Sequence, residues 1–243
     1  QLAVANFQCG LITDGLDTLM LSWNAFVSSS LIGAITPQLK GATNDPWTNN
    51  GPFVAGDLTV AGLIGDGIAK YLNTGTTGQG FYGNNVPNNN AGHTAYVTVN
   101  TDPVGTSVLT GASDGGASLD ALEMFGGNTK CFLFDVASVV IAANAGFTGY
   151  VSANRVALNS LAIYEGNSGV PHHTLVSGAV NNTGGGSAIV TYRVFAYADN
   201  TGTSLFANQR LGLVIFHLGL SSAQSALLFA RVQTFMTALG RAI

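Results

Sequence analysis

Charge is what this sequence has least of. Only 8% of its 243 residues are Asp, Glu, Lys or Arg, where an ordinary globular chain carries about a quarter. The 8 Lys and Arg residues are scattered, and the formal net charge is −4. No basic patch attracts a phosphate backbone, so nucleic acid is not an expected partner. No apolar run approaches the roughly 18 residues that span a bilayer, so a membrane is not one either. The opening QLAVANFQCG has neither a basic segment nor a long apolar stretch and does not read as an intact signal peptide. A chain starting at Gln is expected to have lost an initiator Met or a longer leader. Cysteine is nearly absent too. Cys9 and Cys131 lie far apart and outside any C-x-x-C pattern, which excludes a disulfide framework. Two free, buried thiols are expected, with one long-range bridge as the alternative.

What is present points to a folded all-β protein. Hydrophobic residues make up 47% of the chain, and 32 glycines suit many tight turns. A disordered chain would show high charge and low hydrophobicity. The length fits one large β domain, and no Pro/Ser linker or charge block divides it, so residues 1–243 read as a single domain. A short helical turn is expected around Thr13 to Leu19, followed by a strand at LMLSW. Period-2 or continuous apolar patterns mark further strands in HTAYVTVN, TSVLTGAS, KCFLFDVASVVIAAN, FTGYVSANR, NSLAIYEG, SAIVTYRVFAYADN and RLGLVIFHLGL. The last is the most apolar and reads as a buried central strand. About a dozen short strands at turn-marked spacing, without βαβ alternation, indicate a β-sandwich rather than a parallel sheet.

The chain ends differently. In GLSSAQSALLFARVQTFMTALGRAI, Ser221 is an N-cap and Gln224 occupies the N3 position of a capping box. Leu228, Val232, Phe235 and Leu239 recur at helical spacing, and Gly240 stands where a helix terminates, with Arg241 near the negative end of the dipole. The segment 221–240 therefore reads as an amphipathic helix, about Ser222 to Leu239, clasped over one face of the sandwich.

This tail resembles the C-terminal motif of the concanavalin A-like (LamG-like) domains of tailed bacteriophages and prophages. In those domains a last strand is followed by a helix of the pattern "sLs…ALY…qtymtALG". GLDTLMLSW is similar to that family's N-terminal segment. LKGATNDPWTNNGPFVAGDLTVAGLIGDGIAKYLNTG resembles its stretch with a GDG turn and a following Tyr strand. GYVSANRVALNSLAIYEGN and VFAYADNTGTSLFANQRLGLVIFHLG resemble its later strands. The ordered set runs from about Leu11 to Arg241. The resemblance implies a two-sheet antiparallel jelly-roll sandwich with the C-terminal helix packed on it, in a virion structural protein. It carries over no binding residues, and the metal ligands of legume lectins have no counterpart here.

Constellations for chemistry are few. GLIGDGIAK lacks the spacing of a phosphate loop and reads as a hairpin turn. His172 and His173 are adjacent, so on a strand they point apart and do not chelate one metal; loop surface is the expected place for both. His217 reads as a hydrogen-bonded core residue, and His93 begins a strand without an obvious partner. Asp14 and Asp17 share a turn. Asp114, Asp120 and Glu123 lie in SDGGASLDALEMF, where Asp120 and Glu123 would share a face if that piece were helical. No pair is nominated for glycoside hydrolysis, and there is no nucleophile elbow, so no catalytic residue is expected. Calcium is the one cofactor considered, through Asn44, Asp45, Asn49 and Asn50, but without an EF-hand pattern; these residue types also make turns. The best recognition surface is the loop GQGFYGNNVPNNN. Phe81 and Tyr82 would stack on a sugar while Asn84, Asn85 and Asn88 to Asn90 bond its hydroxyls, with Trp47 joining them. Alternatively Phe81 and Tyr82 plug the sandwich end and the asparagines make turns.

The expectation is thus a non-enzymatic virion structural protein, tail-associated (fibre, tip or baseplate). Its expected partners are other virion proteins in a homo-oligomer or repetitive assembly, and host surface glycan. Low charge suits such packing, because polar faces meet without like-charge repulsion. The alternatives are a capsid decoration or cement protein and, less favoured, a carbohydrate-active enzyme.

Overall fold

The apolar run near the C-terminus forms the centre of a sheet, as its composition requires. In a computed structural model, residues 1–38, 46–83, 90–101, 106–114, 119–125, 128–133, 139–140, 147–157, 160–178 and 189–243 are described. Helix α1 (Leu2–Thr13) and a 3-10 turn (Asp17–Leu19) precede β1 (Met20–Asn24) and the short α2 (Leu31–Ala34). Next come β2 (Thr48–Asn50), β3 (Leu58–Thr59), β4 (Gly62–Ile64), β5 (Tyr71–Thr77) and the helical turn α3 (Gly78–Tyr82). The longer strands follow: β6 (Ala91–Val99), β7 (Thr106–Ser113), β8 (Leu119–Phe125) and β9 (Asn128–Phe132). After them come β10 (Val139–Val140), β11 (Gly149–Ala157), β12 (Ser160–Gly166) and β13 (His173–Gly178). The order closes with β14 (Thr191–Val194), β15 (Tyr197–Asp199), β16 (Gly202–Ser204), β17 (Arg210–His217) and α4 (Ser222–Ala238).

Sheet A has the order β13-β12-β11-β6-β17-β4-β3, with β1 also paired to β17; sheet B has the order β10-β9-β8-β7-β14-β5-β2. Their strand pairs are antiparallel. The two sheets form a jelly-roll sandwich. Its inner core joins Ala95, Val97, Val214 and Phe216 of sheet A to Leu109, Leu122, Tyr192 and Val194 of sheet B. A second core lies on the other side of sheet A, where Tyr96, Tyr150, Leu213 and Ile215 meet Phe7 and Leu11 of α1 and Leu228, Val232, Phe235 and Met236 of α4. Sheet A is therefore covered on both faces, which is why β17 reads as a continuous apolar run and not as an alternation.

The terminal helix matches its sequence signals. Ser221 Oγ accepts from the Gln224 amide at 3.3 Å, and Gln224 Oε1 accepts from the Ser221 amide at 2.9 Å. Gly240 takes φ +68, with Gly240 N bonded to Thr237 O and Arg241 N to Met236 O; this is a Schellman end. Arg241 does not serve the helix dipole as expected. Its buried guanidinium leaves the helix and donates to the carbonyls of Ala25 (2.8 Å), Phe26 (3.2 Å), Gly212 (3.3 Å) and Val60.

Three other expectations change. The turn expected at Thr13 to Leu19 is the 3-10 turn Asp17–Leu19, and before it comes an unsignalled longer helix, α1. It packs Phe7 between Trp23 (centroids 5.1 Å) and Phe235 (4.8 Å), and Asp14 at its end binds Arg231 of α4 through both oxygens at 2.7 and 2.8 Å. The GDG sequence is not a hairpin but the corner between β4 in sheet A and β5 in sheet B. Asp66 Oδ1 holds that corner by accepting from the amides of Ile68, Ala69 and Lys70 at 2.9 to 3.0 Å. SAIVTYRVFAYADN, read as one strand, breaks into β14 and β15 at Phe195, whose φ is +70.

Candidate functional site

The aromatics expected to meet a sugar are in the inner core. Trp47, Phe81 and Tyr82 are 3%, 9% and 6% exposed. Thr77 caps α3 by accepting from the Gly80 amide at 3.0 Å, and that single helical turn carries Phe81 and Tyr82 inward. Phe81 stacks on Phe216 at 4.8 Å, and Trp47 meets Phe26 and Phe216 edge-on at 6.4 Å each. Tyr82 lies parallel to His93 at 6.2 Å and donates its hydroxyl to Gly92 O at 3.1 Å. Their faces are covered by other rings, so they plug the sandwich end; large apolar rings gain more from this burial than from exposure. Asn84, Asn85, Asn88 and Asn89 lie outside the described residues. Asn90 is exposed, and its Oδ1 accepts from the Gly219 amide at 2.7 Å. Trp47→Ala is accordingly expected to cost about 3–5 kcal/mol in urea denaturation, as a core truncation does. An unchanged midpoint would put Trp47 back on the list of surface residues.

A buried cluster around His93 was not foreseen. His93 is fully buried on β6, with Nδ1 3.0 Å from Thr110 Oγ1 and its ring edge-on to Tyr192 (5.1 Å) and Phe216 (5.2 Å). Its Nε2 has no partner among the described residues. Burial, with repulsion from His217, holds His93 down to about 3. Burial likewise pushes the phenols of Tyr82 and Tyr192 up, and the buried Asp120 of β8 pushes them further. Period 2 in HTAYVTVN places His93 on the Ala95–Val97 face, which was the available signal. The cluster is enclosed between the sheets and offers no atom to a ligand outside.

The remaining candidates do not converge. Asp120 and Glu123 sit on a strand, so a three-residue spacing puts them on opposite faces; Asp120 is inside and Glu123 neighbours Lys130. His172 is half-buried against α4, with Nε2 3.1 Å from Ser225 Oγ and its ring stacked on Tyr164 at 5.2 Å, while His173 is exposed. His217 is a hydrogen-bonded core residue, as read. Asn49 pairs both side-chain atoms with the Phe53 backbone (2.8 and 2.9 Å), a turn role rather than a calcium ligand; Asn44 and Asp45 lie outside the described residues. Among the described residues no three His, Cys, Asp or Glu side chains are grouped to hold a metal ion, and no helix is long and apolar enough to cross a membrane. Both cysteines are free. Cys131 is buried as expected, but Cys9 is exposed on α1, because the face of that helix turned to the sheet is taken by Phe7, Gly10 and Leu11.

The open concavities lie on the helical side. A groove of about 750 Å³ is lined by Val4, Gln8, Val27, Ser28, Ser29, Gln38 and Leu239, among others. A neighbouring one of about 550 Å³ shares Val27, Ser28, Ser29 and Leu239 with it and continues to Leu58, Val60 and Arg241. Among the described residues their linings hold no carboxylate, imidazole or thiol. Such a surface offers amides, hydroxyls and aliphatic contact.

No family model and no curated protein matches the chain. Solved structures give partial likeness. The botulinum neurotoxin serotype D binding domain is similar over 69% of this chain and 41% of its own, with 14% identity and a TM-score of 0.44. Domain 4 of an extracellular arabinanase from Geobacillus stearothermophilus, in complex with arabinotriose, is similar over 87% of this chain and 98% of its own, with 13% identity and a TM-score of 0.48. Trypanosoma rangeli sialidase, in complex with the inhibitor DANA, is similar over 69% of this chain and 28% of its own, with 16% identity and a TM-score of 0.39. This chain thus spans less than half the length of the neurotoxin domain and of the sialidase. Likeness of this degree assigns no family and locates no site.

Proposed function

We propose that the chain is a non-catalytic jelly-roll module of a bacteriophage virion, carried on the tail, with host surface polysaccharide as its candidate ligand. One observation supports this best: the segments that carry the phage-domain resemblance fall on the joints of the fold. GDG is the corner between the sheets, GYVSANR and LAIYEG are the paired β11 and β12, and the tail motif is the capped helix locked by Arg241. The scarcity of charged residues in the chain agrees with packing into an assembly.

Burial of Trp47, Phe81 and Tyr82 favours the second reading, a capsid decoration or cement protein without a ligand, because it removes the stacking faces a glycan would use. Antibody labelling of particles in electron microscopy separates the two. Label on the tail, followed by retention on host polysaccharide, is the expected result. Label over the head would favour cement, and absence from every particle would remove the virion assignment. New reducing ends on incubation with polysaccharide would overturn the non-catalytic reading.

A further inference from the structure

The outer face of sheet B is polar where β2, β5 and β14 run side by side. Leu72, Tyr192 and Val194 point into the inner core, so alternation turns Tyr71, Asn73, Thr191 and Arg193 outward. Asn73 stands opposite Arg193 on one side and Thr48 on the other, and Asn50 stands opposite Tyr71. Thr48 is exposed, and the other five are partly exposed. Neighbouring strands lie about 4.8 Å apart, so these side chains form a flat row across the sheet. Beyond β14 the face rises in a step. Tyr197 of β15 lies over β7, close enough that a Cβ on Gly111 would come within 3.2 Å of its ring. Gly111 is the β7 partner of Arg193, so the arginine stands at the foot of that step.

Arg193 is held in place but has no anion. Its Nη1 donates to Thr191 O at 3.0 Å and to Thr191 Oγ1, and its Cζ lies 5.3 Å from the centroid of the Tyr71 ring, within cation–π range. Its Nε is buried and bonded to nothing among the described residues, and no carboxylate there pairs with it. Burial holds the guanidinium below its ordinary value, and Tyr71 alone works against that. A half-buried charge without a counter-charge is unfavourable, and an incoming anion relieves it. Its neighbours offer hydrogen bonds without charge. Asn73 Oδ1 accepts from the Gly75 amide at 3.0 Å and Asn50 Nδ2 donates to Thr48 O at 3.0 Å, which fixes both amides. Asn73 Nδ2 and Asn50 Oδ1 stay open among the described residues.

We propose that this face binds an acidic polysaccharide, with Arg193 holding the carboxylate of a uronic acid residue while Asn73 and Asn50 bond the hydroxyls of that sugar and the next. This rests on the reading of the chain as a glycan-binding module and names the class of glycan. A guanidinium–carboxylate bond is charge-assisted and stronger than a neutral one. One cation in an otherwise uncharged row suits a polymer that alternates anions with hydroxyls, not a dense polyanion. The net charge of −4 also repels a dense polyanion, though salt confines that repulsion to about 8 Å.

Affinity electrophoresis of the whole chain through gels containing polygalacturonate, alginate or hyaluronate tests the site. Retardation is expected in at least one of them, and none is expected with the fully methyl-esterified form of polygalacturonate, which has the same backbone without the charge. Arg193→Gln should weaken binding about tenfold or more, Arg193→Lys should recover part of that, and Asn73→Ala should weaken it about threefold. Retardation by none of the three acidic polymers would overturn the proposal. Equal retardation by dextran sulfate would also overturn it, by making this a site for anions at large. Retardation that the methyl ester or Arg193→Gln leaves intact would overturn it while keeping the glycan reading. Retardation by no polysaccharide, neutral dextran included, would remove the glycan ligand as well.

Discussion

Deleting residues 221–243 is expected to leave an insoluble chain. Leu228, Val232, Phe235 and Met236 cover Tyr96, Tyr150, Leu213 and Ile215, and without α4 that face of sheet A meets water. Burying four large apolar side chains is worth about 1.5–3 kcal/mol each, while a whole domain is stable by only about 5–15 kcal/mol. α1 would lose its support at the same time, since Phe7 stacks on Phe235 and Asp14 binds Arg231. A milder variant isolates the lock. Arg241→Ala keeps the helix but strands the carbonyls of Ala25, Phe26, Val60 and Gly212. Leaving a buried acceptor without its donor costs about 1–3 kcal/mol. Arg241→Lys should recover only part of that loss, because a compact ammonium cannot spread three to four directed donors over as wide an arc. Solubility of the truncated chain and urea midpoints of the two point variants check this. A truncated chain that stays soluble and unfolds cooperatively would show that α4 is an appendage and not a clasp.

Why α4 was legible and its lock was not is a matter of range. The capping box, the apolar stripe and the Gly240 stop are all set within a few residues of each other, so the sequence displays them side by side. The partners of Arg241 come from three distant segments, and nothing local announces them. α1 shows the opposite case. Its twelve residues carry no charge, no side-chain N-cap and no polar face, so period 3.6 has nothing to contrast. Only Gly15, at φ +67 beyond its last turn, marks its end. Strand signals were readable where strands alternate in burial, as β9 and β14 do, or are buried on both faces, as β6, β7 and β17 are. The two readings of Phe81 and Tyr82 stayed open in the sequence for another reason. Residue type says that Phe81 and Tyr82 are aromatic, but only the turn capped by Thr77 decides which way they face. Asp120 and Glu123 were paired by a helical spacing that β8 cancels.

Acid is expected to weaken the whole fold through its buried histidines. His93 is held down to about 3 and His217 down to about 4, both chiefly by burial, against an ordinary value of 6.5 that each regains on unfolding. Because the folded values lie lower, the unfolded chain takes up these protons first as pH falls. Stability is therefore whole above about pH 6.5 and is lost progressively down to about pH 4, at up to about 1.4 kcal/mol per pH unit for each histidine. His172 adds in the same direction. Glu123, pushed up by burial, binds its proton in the folded state and opposes with one proton at most. Asp14 and Asp66, held below their usual range, contribute losses only at lower pH. Urea midpoints at half-unit steps from pH 7 to pH 4.5 should fall steadily, with a proton slope between one and two. His93→Gln keeps a polar partner for Thr110 but cannot charge; whatever it costs at pH 7, its midpoint should fall with a slope smaller by about one proton. Midpoints that stay level across this window would mean that the two imidazoles find counter-charges on protonation, and the enclosed cluster around His93 would have to be redrawn with a route to water.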